Sequence, residues 1–167
     1  MARKSWDAYF MDIAKVVASR ATCPRLHVGA VLVQGKRIRG TGYNGAPAGL
    51  PSCEDEGCLL TETYEEEHGA IVKKEHCIRT IHAEINLLSY TDVAERQGAT
   101  VYLTDEPCYT CAKALANSGI AEVVYERPYL KDHARTSETL AAKGIVLRRL
   151  TAEGSPVIEA AKEGESA

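Results

Sequence analysis

The spacing of a few residues in two short segments constrains this chain more than any other feature. His82 and Glu84 stand two residues apart, and a Pro-Cys-x-x-Cys segment follows with Cys108 and Cys111 three residues apart. Residues three apart share one face of an α-helix, and a helix N-terminus favours thiolates through its dipole and free N–H groups. One imidazole and two thiolates supply three zinc ligands and leave the fourth position to water, as in catalytic zinc sites.

Glu84 lies beside this predicted site without being at a ligand position. Bound zinc lowers the pKa of water to about 7. The combined pattern resembles the H-x-E…P-C-x-x-C signature of zinc nucleobase deaminases. The resemblance implies that Glu84 takes the water proton, protonates a ring nitrogen and delivers a proton to a departing amine. A C-x-x-C pair alone also occurs in zinc knuckles and redox pairs, and a lone histidine is more often an ordinary polar group. The His-x-Glu segment upstream favours the catalytic zinc site.

Length and composition favour one globular domain. The chain has 167 residues and a formal net charge of −3. We expect one domain over 1–150 and a flexible acidic tail over 151–167. The charge argues against a polynucleotide partner, which would require many Lys or Arg contacts. The sequence has no apolar run of about 18 residues and no signal-peptide core. We therefore expect no membrane association and a cytoplasmic location, where cysteines serve as metal ligands more often than as disulfides.

The hydrophobic pattern predicts an α/β fold. Apolar runs predict strands, and 3.6-residue periodicity predicts helices. The predicted strands cover 28–33, 37–43, 100–103, 121–125 and 145–150. The predicted helices cover 5–20, 80–89, 107–119 and 137–143. The first helix carries an aromatic and aliphatic set that we expect in the core: Trp6, Tyr9, Phe10, Ile13, Val16 and Val17. Residues 44–57 should form a long loop, and 61–74 form a polar insertion with weak helical character. This order indicates an antiparallel pair beside βαβ units in one mixed sheet.

Several longer segments carry a resemblance to a known family between about residues 5 and 150. They are SWDAYFMDIAKVVASRATCPRLHVGAVLV, RIRGTGYNGAPAG, HCIRTIHAEINLL, VYLTDEPCYTCAKALANSGI and VVYERPY. The chain resembles the zinc-dependent cytidine and deoxycytidylate deaminase superfamily, and within it the dCMP deaminases of the bacterial late-competence-operon type. Deaminases of tRNA adenosine, guanine and the riboflavin pathway share HAE and C-x-x-C. VGAVLV followed by GYNG is more specific.

The resemblance implies a fold, a reaction and a set of site residues. The fold would be a three-layer α/β/α architecture with a mixed five-stranded sheet. The reaction would be hydrolytic deamination of dCMP to dUMP and ammonia, which supplies dUMP for thymidylate synthesis. By resemblance, the zinc ligands are His82, Cys108 and Cys111, and Glu84 is the proton shuttle. The implied substrate contacts are Asn44 with the nucleotide, Asn86 near the sugar and Tyr129 near the base.

The resemblance also implies regulation and assembly. Family enzymes are commonly hexamers, and several are activated by dCTP with Mg²⁺ and inhibited by dTTP. The GYNG loop forms part of that effector site, which corresponds here to Gly42, Tyr43, Asn44 and Gly45.

The basic residues are spread singly and do not form a stripe, which suits a small nucleotide. One or two of them could bind a 5′-phosphate through a bidentate guanidinium, although each alone is more often a solvated surface charge. The candidates are Arg25, Lys36, Arg37, Arg39 and Arg79.

The remaining cysteines predict a second, structural zinc site. Four residues of a set of five would bind the metal: Cys23, Cys53, Cys58, Cys77 and His76. Some phage and bacterial members of the family have such a site, and others lack it. The alternative is a group of buried free thiols.

Two other functions remain compatible with the sequence. The substrate could be another cytosine nucleotide or nucleoside, such as dCTP, CMP or deoxycytidine. The chain could also be a non-catalytic protein of competence that binds zinc or nucleotide. Glu84 distinguishes the classes, because a structural zinc site has no use for a carboxylate beside an open coordination position.

Overall fold

The computed structural model describes residues 3–67, 69–129, 133–151 and 156–157. Within these residues, no helix is both long enough and apolar enough to cross a membrane. The predicted tail over 151–167 lies outside the described residues except at 151 and 156–157. The two residues at 156–157 pair with the last strand of the main sheet.

Eight strands and six helices occur in the described residues. The strands are β1 (Gly29–Gln34), β2 (Arg37–Tyr43), β3 (Leu60–Glu67), β4 (Ala70–Cys77), β5 (Thr100–Asp105), β6 (Glu122–Arg127), β7 (Val146–Leu150) and β8 (Pro156–Val157). The helices are α1 (Trp6–Ala18), α2 (Cys53–Glu56), α3 (Ala83–Ser89), α4 (Val93–Arg96), α5 (Tyr109–Ala116) and α6 (His133–Ala142).

The main sheet confirms the predicted fold class. Its order is β2-β1-β5-β6-β7-β8. Strands β2, β1 and β5 are antiparallel neighbours, while β5, β6 and β7 run parallel. This is the predicted mixed five-stranded sheet, extended at its edge by the two residues of β8.

Helices cover both faces of the sheet and create two cores. Alternate residues of a strand point to opposite faces. Ala30 and Leu32 of β1 therefore pack in one core with side chains of α3, α5 and α6. Val31 and Val33 pack in the other core with α1. These helix layers on either side of the sheet form the predicted α/β/α architecture.

Two glycines allow helices to lie directly on the strands. A Cβ added at Gly29 would come within 2.0 Å of the Ala14 carbonyl oxygen in α1. A Cβ at Gly42 would come within 2.3 Å of the Ala83 carbonyl oxygen in α3. Gly42 thereby fixes how close the N-terminus of α3 comes to the end of β2.

The helical expectation for residues 61–74 was wrong. This segment lies within an antiparallel hairpin formed by β3 and β4, with Gly69 at φ 83° in the turn. One ion pair joins the two strands diagonally, between Lys73 and Glu62 at 2.5 Å. Cross-strand pairing of this kind stabilises hairpins and leaves little hydrophobic periodicity to detect.

Other predicted elements differ in length or in burial. The predicted loop over 44–57 contains the one-turn helix α2, and α4 was not predicted. Ser5 caps α1 by accepting a hydrogen bond from the Ala8 N–H, as expected. Phe10 is buried, but Trp6, Tyr9 and Val16 are exposed. The expected core role of those three side chains was therefore wrong.

A polar network joins α1 to the sheet. The Tyr102 hydroxyl and the Arg148 guanidinium both donate to Asp7, at 2.7 Å each. Arg148 also donates to Glu122 at 3.0 Å. Burial opposes ionisation of Asp7, but the hydrogen bonds from Arg148 and Tyr102 keep its pKa below the usual value of 3.8.

Replacing Asp7 should make the stability of the fold less dependent on pH. A carboxyl group whose pKa is lowered by folding stabilises the protein above its unfolded pKa, and that contribution is lost as pH falls through the folded pKa. We expect Asp7→Asn to reduce the free energy of unfolding by about 1–3 kcal/mol at pH 7. The difference from wild type should shrink below pH 3.8.

Urea unfolding of both proteins across this pH range measures the effect. Asp12→Asn is the matched control, because Asp12 lies on the same helix as Asp7 and forms an exposed ion pair with Lys4. Exposed pairs of this kind contribute little. Equal unfolding midpoints for Asp7→Asn and Asp12→Asn would contradict the assigned role of Asp7.

Candidate active site

The N-termini of two helices present the predicted metal ligands. His82 is the N-cap residue of α3 and Cys108 is the N-cap residue of α5, both with extended backbone. Cys111 follows in the first turn of α5. The His82 side chain makes no capping hydrogen bond to its own helix. It lies instead beside the Cys108 thiol at the start of the other helix.

The ligand atoms have the spacing of a tetrahedral zinc site. His82 Nδ1 lies 3.6 Å from Cys108 Sγ and 3.3 Å from Cys111 Sγ. Zn–N bonds of about 2.0 Å and Zn–S bonds of about 2.3 Å place such atoms about 3.5 Å apart. In the described part of the chain this group contains three ligands. The residues therefore fit zinc with one position open.

Charge in this cluster favours cation binding. Hydrogen bonds from Cys111 and His82 lower the pKa of the Cys108 thiol to about 4. The Cys111 thiol donates a hydrogen bond to Cys108, and this bond together with burial raises the pKa of Cys111. The hydrogen bond with Cys108 raises the pKa of His82. The cluster thus contains a ready thiolate and protons that a bound metal would displace.

Glu84 is buried beside these ligands. The residue is 4% exposed, and burial raises the pKa of its carboxyl group to about 7. A carboxyl group with a pKa near neutrality can both accept and donate a proton at physiological pH. This is the property that the predicted proton shuttle requires.

A cavity of about 330 Å³ opens onto His82 and Cys108, two of the predicted metal ligands. Its lining includes side chains from both helix N-termini and from the loops beside β1, β4 and β6. The lining residues are Cys23, Arg25, Leu26, Val28, Asn44, Glu75, His76, Cys77, Thr80, His82, Ala83, Glu84, Asp105, Glu106, Cys108 and Tyr129. The cavity therefore contains the predicted Glu84, Asn44 and Tyr129 together.

The two predicted asparagine contacts differ in position. Asn44 lines the cavity, accepts a hydrogen bond from the Val28 N–H at 2.7 Å and donates to the Leu26 carbonyl at 2.8 Å. Asn86 does not appear among the described residues that line the cavity. Its amide donates to the Tyr43 carbonyl at 2.9 Å. The contact of Asn86 with the sugar stays a prediction.

The predicted effector residues lie at the end of β2 and in the loop that follows it. Gly42 contacts the start of α3, and Gly45 exchanges two backbone hydrogen bonds with Ile81. The side-chain amide of Asn44 links the same region to the chain before β1. These contacts explain the GYNG sequence through packing, and its effector role stays a prediction.

The other four cysteines form a second cluster. Cys23 Sγ lies 3.8 Å from Cys58 Sγ, and Cys53 Sγ lies 3.6 Å from Cys77 Sγ. Tetrahedral zinc with Zn–S bonds of about 2.3 Å places its sulfurs about 3.8 Å apart. His76 lies outside the cluster, with its Nε2 atom 3.0 Å from the Thr63 hydroxyl.

The surroundings of this cysteine cluster favour a thiolate at Cys77 and oppose one at Cys53, whose pKa burial and the hydrogen bond with Cys77 raise to about 12. Burial opposes ionisation of Cys77, but hydrogen bonds from the Arg79 backbone and the neighbouring thiols lower its pKa to about 7. All six cysteines of the chain are free thiols in the structure. The donor set therefore fits a closed four-sulfur zinc site.

Sequence reasoning missed two acidic residues at the end of β5. Asp105 accepts a hydrogen bond from Arg127 at 2.7 Å, and Glu106 is buried and belongs to the cavity lining. Their position in the sequence, directly before the Pro-Cys segment, was the available signal. Polar residues at the end of a strand are frequent site residues.

A family comparison agrees with this geometry. The sequence profile of the cytidine and deoxycytidylate deaminase zinc-binding region matches residues 4–127. The chain belongs to this family. It is therefore a member of a family of zinc-dependent hydrolases, as its sequence resemblance indicated.

Individual members of the deaminase family show the same relationship. The deoxycytidylate deaminase of Mycobacterium phage D29 is 44% identical over 127 residues, which cover 76% of this chain and 98% of the relative. The ComE operon protein 2 of Bacillus subtilis is 38% identical over 152 residues, which cover 90% and 74%.

A solved structure of the family confirms the fold. The dCMP deaminase of cyanophage S-TIM5, in complex with dCMP and dUMP, has a TM-score of 0.66 to this chain. The match has 24% sequence identity and covers 90% of this chain and all of the phage chain. At this identity the likeness supports the α/β architecture.

Proposed function

We propose that this protein is a zinc-dependent dCMP deaminase that produces dUMP and ammonia, and so supplies dUMP for thymidylate synthesis. The observation that carries the proposal is the buried Glu84 beside a three-ligand cluster with an open position, on the wall of a nucleotide-sized cavity. The identity with the phage D29 deoxycytidylate deaminase favours dCMP as the substrate.

In the proposed mechanism, His82, Cys108 and Cys111 hold the metal and Glu84 moves the protons. Bound zinc supplies Lewis-acid chemistry that makes water nucleophilic near neutral pH. The Glu84 carboxylate accepts the proton of the attacking water and passes it to the pyrimidine ring nitrogen. The resulting hydroxide forms a C–O bond to the ring carbon that carries the amino group. Glu84 then takes the proton of this added hydroxyl group and gives it to the amino group, so that the carbonyl forms as the C–N bond breaks and ammonia leaves. The raised pKa of Glu84 suits both transfers.

The cavity offers one cationic arginine to a phosphate. Arg25 is exposed, lines the cavity and donates to the Glu75 carbonyl at 2.9 Å. Its guanidinium has five N–H donors, so others remain for a phosphate. We assign Arg25 to the 5′-phosphate, Asn44 to the nucleotide and Tyr129 to the base. Asn86 would act near the sugar.

We also propose a structural zinc ion bound by Cys23, Cys53, Cys58 and Cys77. Support comes from the sulfur spacing, which matches a tetrahedron. Cys23 and Cys77 also line the substrate cavity. The metal would therefore hold one wall of the cavity in place.

Assembly, regulation and location extend the proposal. A hexamer is proposed, with activation by dCTP and Mg²⁺ and inhibition by dTTP at a site that includes Gly42, Tyr43, Asn44 and Gly45. Light scattering and effector titrations test these points. Metal-binding thiols suit a reducing compartment, which supports a cytoplasmic location.

Removal of the Glu84 carboxylate should stop the reaction and leave the metal bound. We expect Glu84→Gln to lower kcat on dCMP by about 10²- to 10⁴-fold, the usual contribution of a general acid-base. Ammonia release by the zinc-loaded protein measures kcat, and elemental analysis measures zinc. Glu138→Gln, an exposed change on α6, is the control. Wild-type turnover by Glu84→Gln would contradict the mechanism.

The same assay separates the substrate alternatives. Wild-type protein is offered dCMP, CMP, deoxycytidine and dCTP in parallel. Turnover of dCTP or deoxycytidine without dCMP would keep the mechanism and change the substrate. Zinc-loaded protein inactive on all four would favour a non-catalytic binding protein.

Loss of the Arg25 charge should affect only phosphorylated substrates. We expect Arg25→Gln to raise KM for dCMP by about 10- to 100-fold, since a charged hydrogen bond contributes about 1.5–3 kcal/mol. KM for deoxycytidine should stay unchanged. Arg37→Gln, an exposed change on β2, is the control. Equal increases for dCMP and deoxycytidine would refute the phosphate role.

The number of bound zinc ions tests the structural site. Purified wild-type protein should bind about two zinc ions per chain and Cys58→Ser about one, because a closed site needs four ligands. His76→Asn should keep both, since His76 lies outside the cysteine cluster. A single zinc ion in wild type would show that the four cysteines remain free thiols.

A further inference from the structure

Glu106 is a buried charged residue that neither metal binding nor proton transfer explains. The residue is 4% exposed and lies at the cavity, between β5 and Cys108. A buried carboxylate is costly unless its oxygens are paired. Its partners therefore indicate what the residue does.

Both carboxylate oxygens of Glu106 contact the chain that follows β6. Oε2 accepts a hydrogen bond from the Tyr129 N–H at 2.9 Å. Oε1 lies 2.5 Å from Nδ1 of His133, the first residue of α6. The Glu106 N–H donates to the Arg127 carbonyl at 2.8 Å. Glu106 thus connects the metal-binding loop to residues on both sides of Tyr129.

Tyr129 is the residue in this group with an accessible side chain at the cavity. It is 37% exposed and belongs to the cavity lining. Its backbone N–H is held by the buried carboxyl group of Glu106, which leaves the ring free at the cavity. An aromatic ring held at this place can stack on a flat pyrimidine ring.

We propose that Glu106, with His133, is a positioning residue that fixes Tyr129 against the substrate base. The substrate in this statement rests on the proposed function. Glu106 acts through Tyr129, so its loss should weaken substrate binding and leave the proton transfer by Glu84 intact.

A double-mutant cycle on the zinc-loaded protein tests this dependence. We expect Glu106→Ala and Tyr129→Ala each to raise KM for dCMP by about tenfold, the order of one stacking contact. Residues that act as a unit are not additive. The double variant should therefore also show a KM about tenfold above wild type, with kcat and zinc content unchanged.

The isosteric variant Glu106→Gln keeps the experiment informative if Glu106→Ala does not fold. The amide oxygen can accept from the Tyr129 N–H, and the amide nitrogen can donate to a neutral His133. We expect KM within about threefold of wild type, which is a rescue by conserved geometry.

Hydrogen exchange of the Tyr129 amide measures its hydrogen bond to Glu106 independently of enzyme activity. It should accelerate in Glu106→Ala and stay slow in Glu106→Gln. Unchanged exchange in Glu106→Ala, or additive KM effects of the two substitutions, would overturn the proposal. A fall in zinc content would also overturn it, because Glu106 would then act through Cys108. Wild-type protein without dCMP turnover overturns the proposed function alone, since amide exchange still decides the Glu106 contact.

Discussion

The meeting of two helix N-termini at one point is the constraint on which the rest of the structure depends. His82 begins α3 and Cys108 begins α5, and their ligand atoms approach within 3.6 Å. Both helices pack in the same core, on one face of the sheet. Gly42 lets α3 lie against β2. Small displacements of catalytic groups lower the reaction rate strongly. The close packing of α3 on β2 therefore helps to hold His82 and Glu84 in position.

Glu84 differs from the neighbouring acidic residues Asp105 and Glu106 in its hydrogen-bond partners. Asp105 is paired with Arg127, and Glu106 contacts His133 and the Tyr129 backbone. Glu84 is buried, and burial raises its pKa to about 7. Groups with a perturbed pKa in a cleft are typical of acid-base catalysts. The surrounding charges therefore leave Glu84 as the group suited to proton transfer.

The elements that were predicted correctly are those in which buried apolar residues recur regularly along the sequence. The predicted metal ligands were found from their fixed spacing. The central strands β1, β5 and β6 are buried on both faces, and the segments with the predicted zinc ligands have short, specific spacings. The hairpin of β3 and β4 was missed because polar and charged residues make up most of β3 and interrupt the apolar residues of β4. In α1, helical periodicity correctly predicted the helix but could not show that Trp6 and Tyr9 face outward.

The positions of polar partners were harder to predict. The Glu106 contacts join residues 23 and 27 positions apart in the chain. Local sequence patterns do not predict such pairs, because the contacts depend on where Tyr129 and His133 lie after β6. The sequence predicted a cluster of four residues from Cys23, Cys53, Cys58, Cys77 and His76. Three-dimensional positions were needed to show that Cys58, and not His76, belongs to the group.

A crystal structure of the zinc-loaded protein, with anomalous data at the zinc edge, tests the central claim most directly. The account predicts a zinc ion bonded to His82 Nδ1, Cys108 Sγ and Cys111 Sγ. A water should occupy the fourth position, within hydrogen-bond distance of the Glu84 carboxylate. A fourth protein ligand closing the site, or Glu84 itself bound to the metal, would contradict the account.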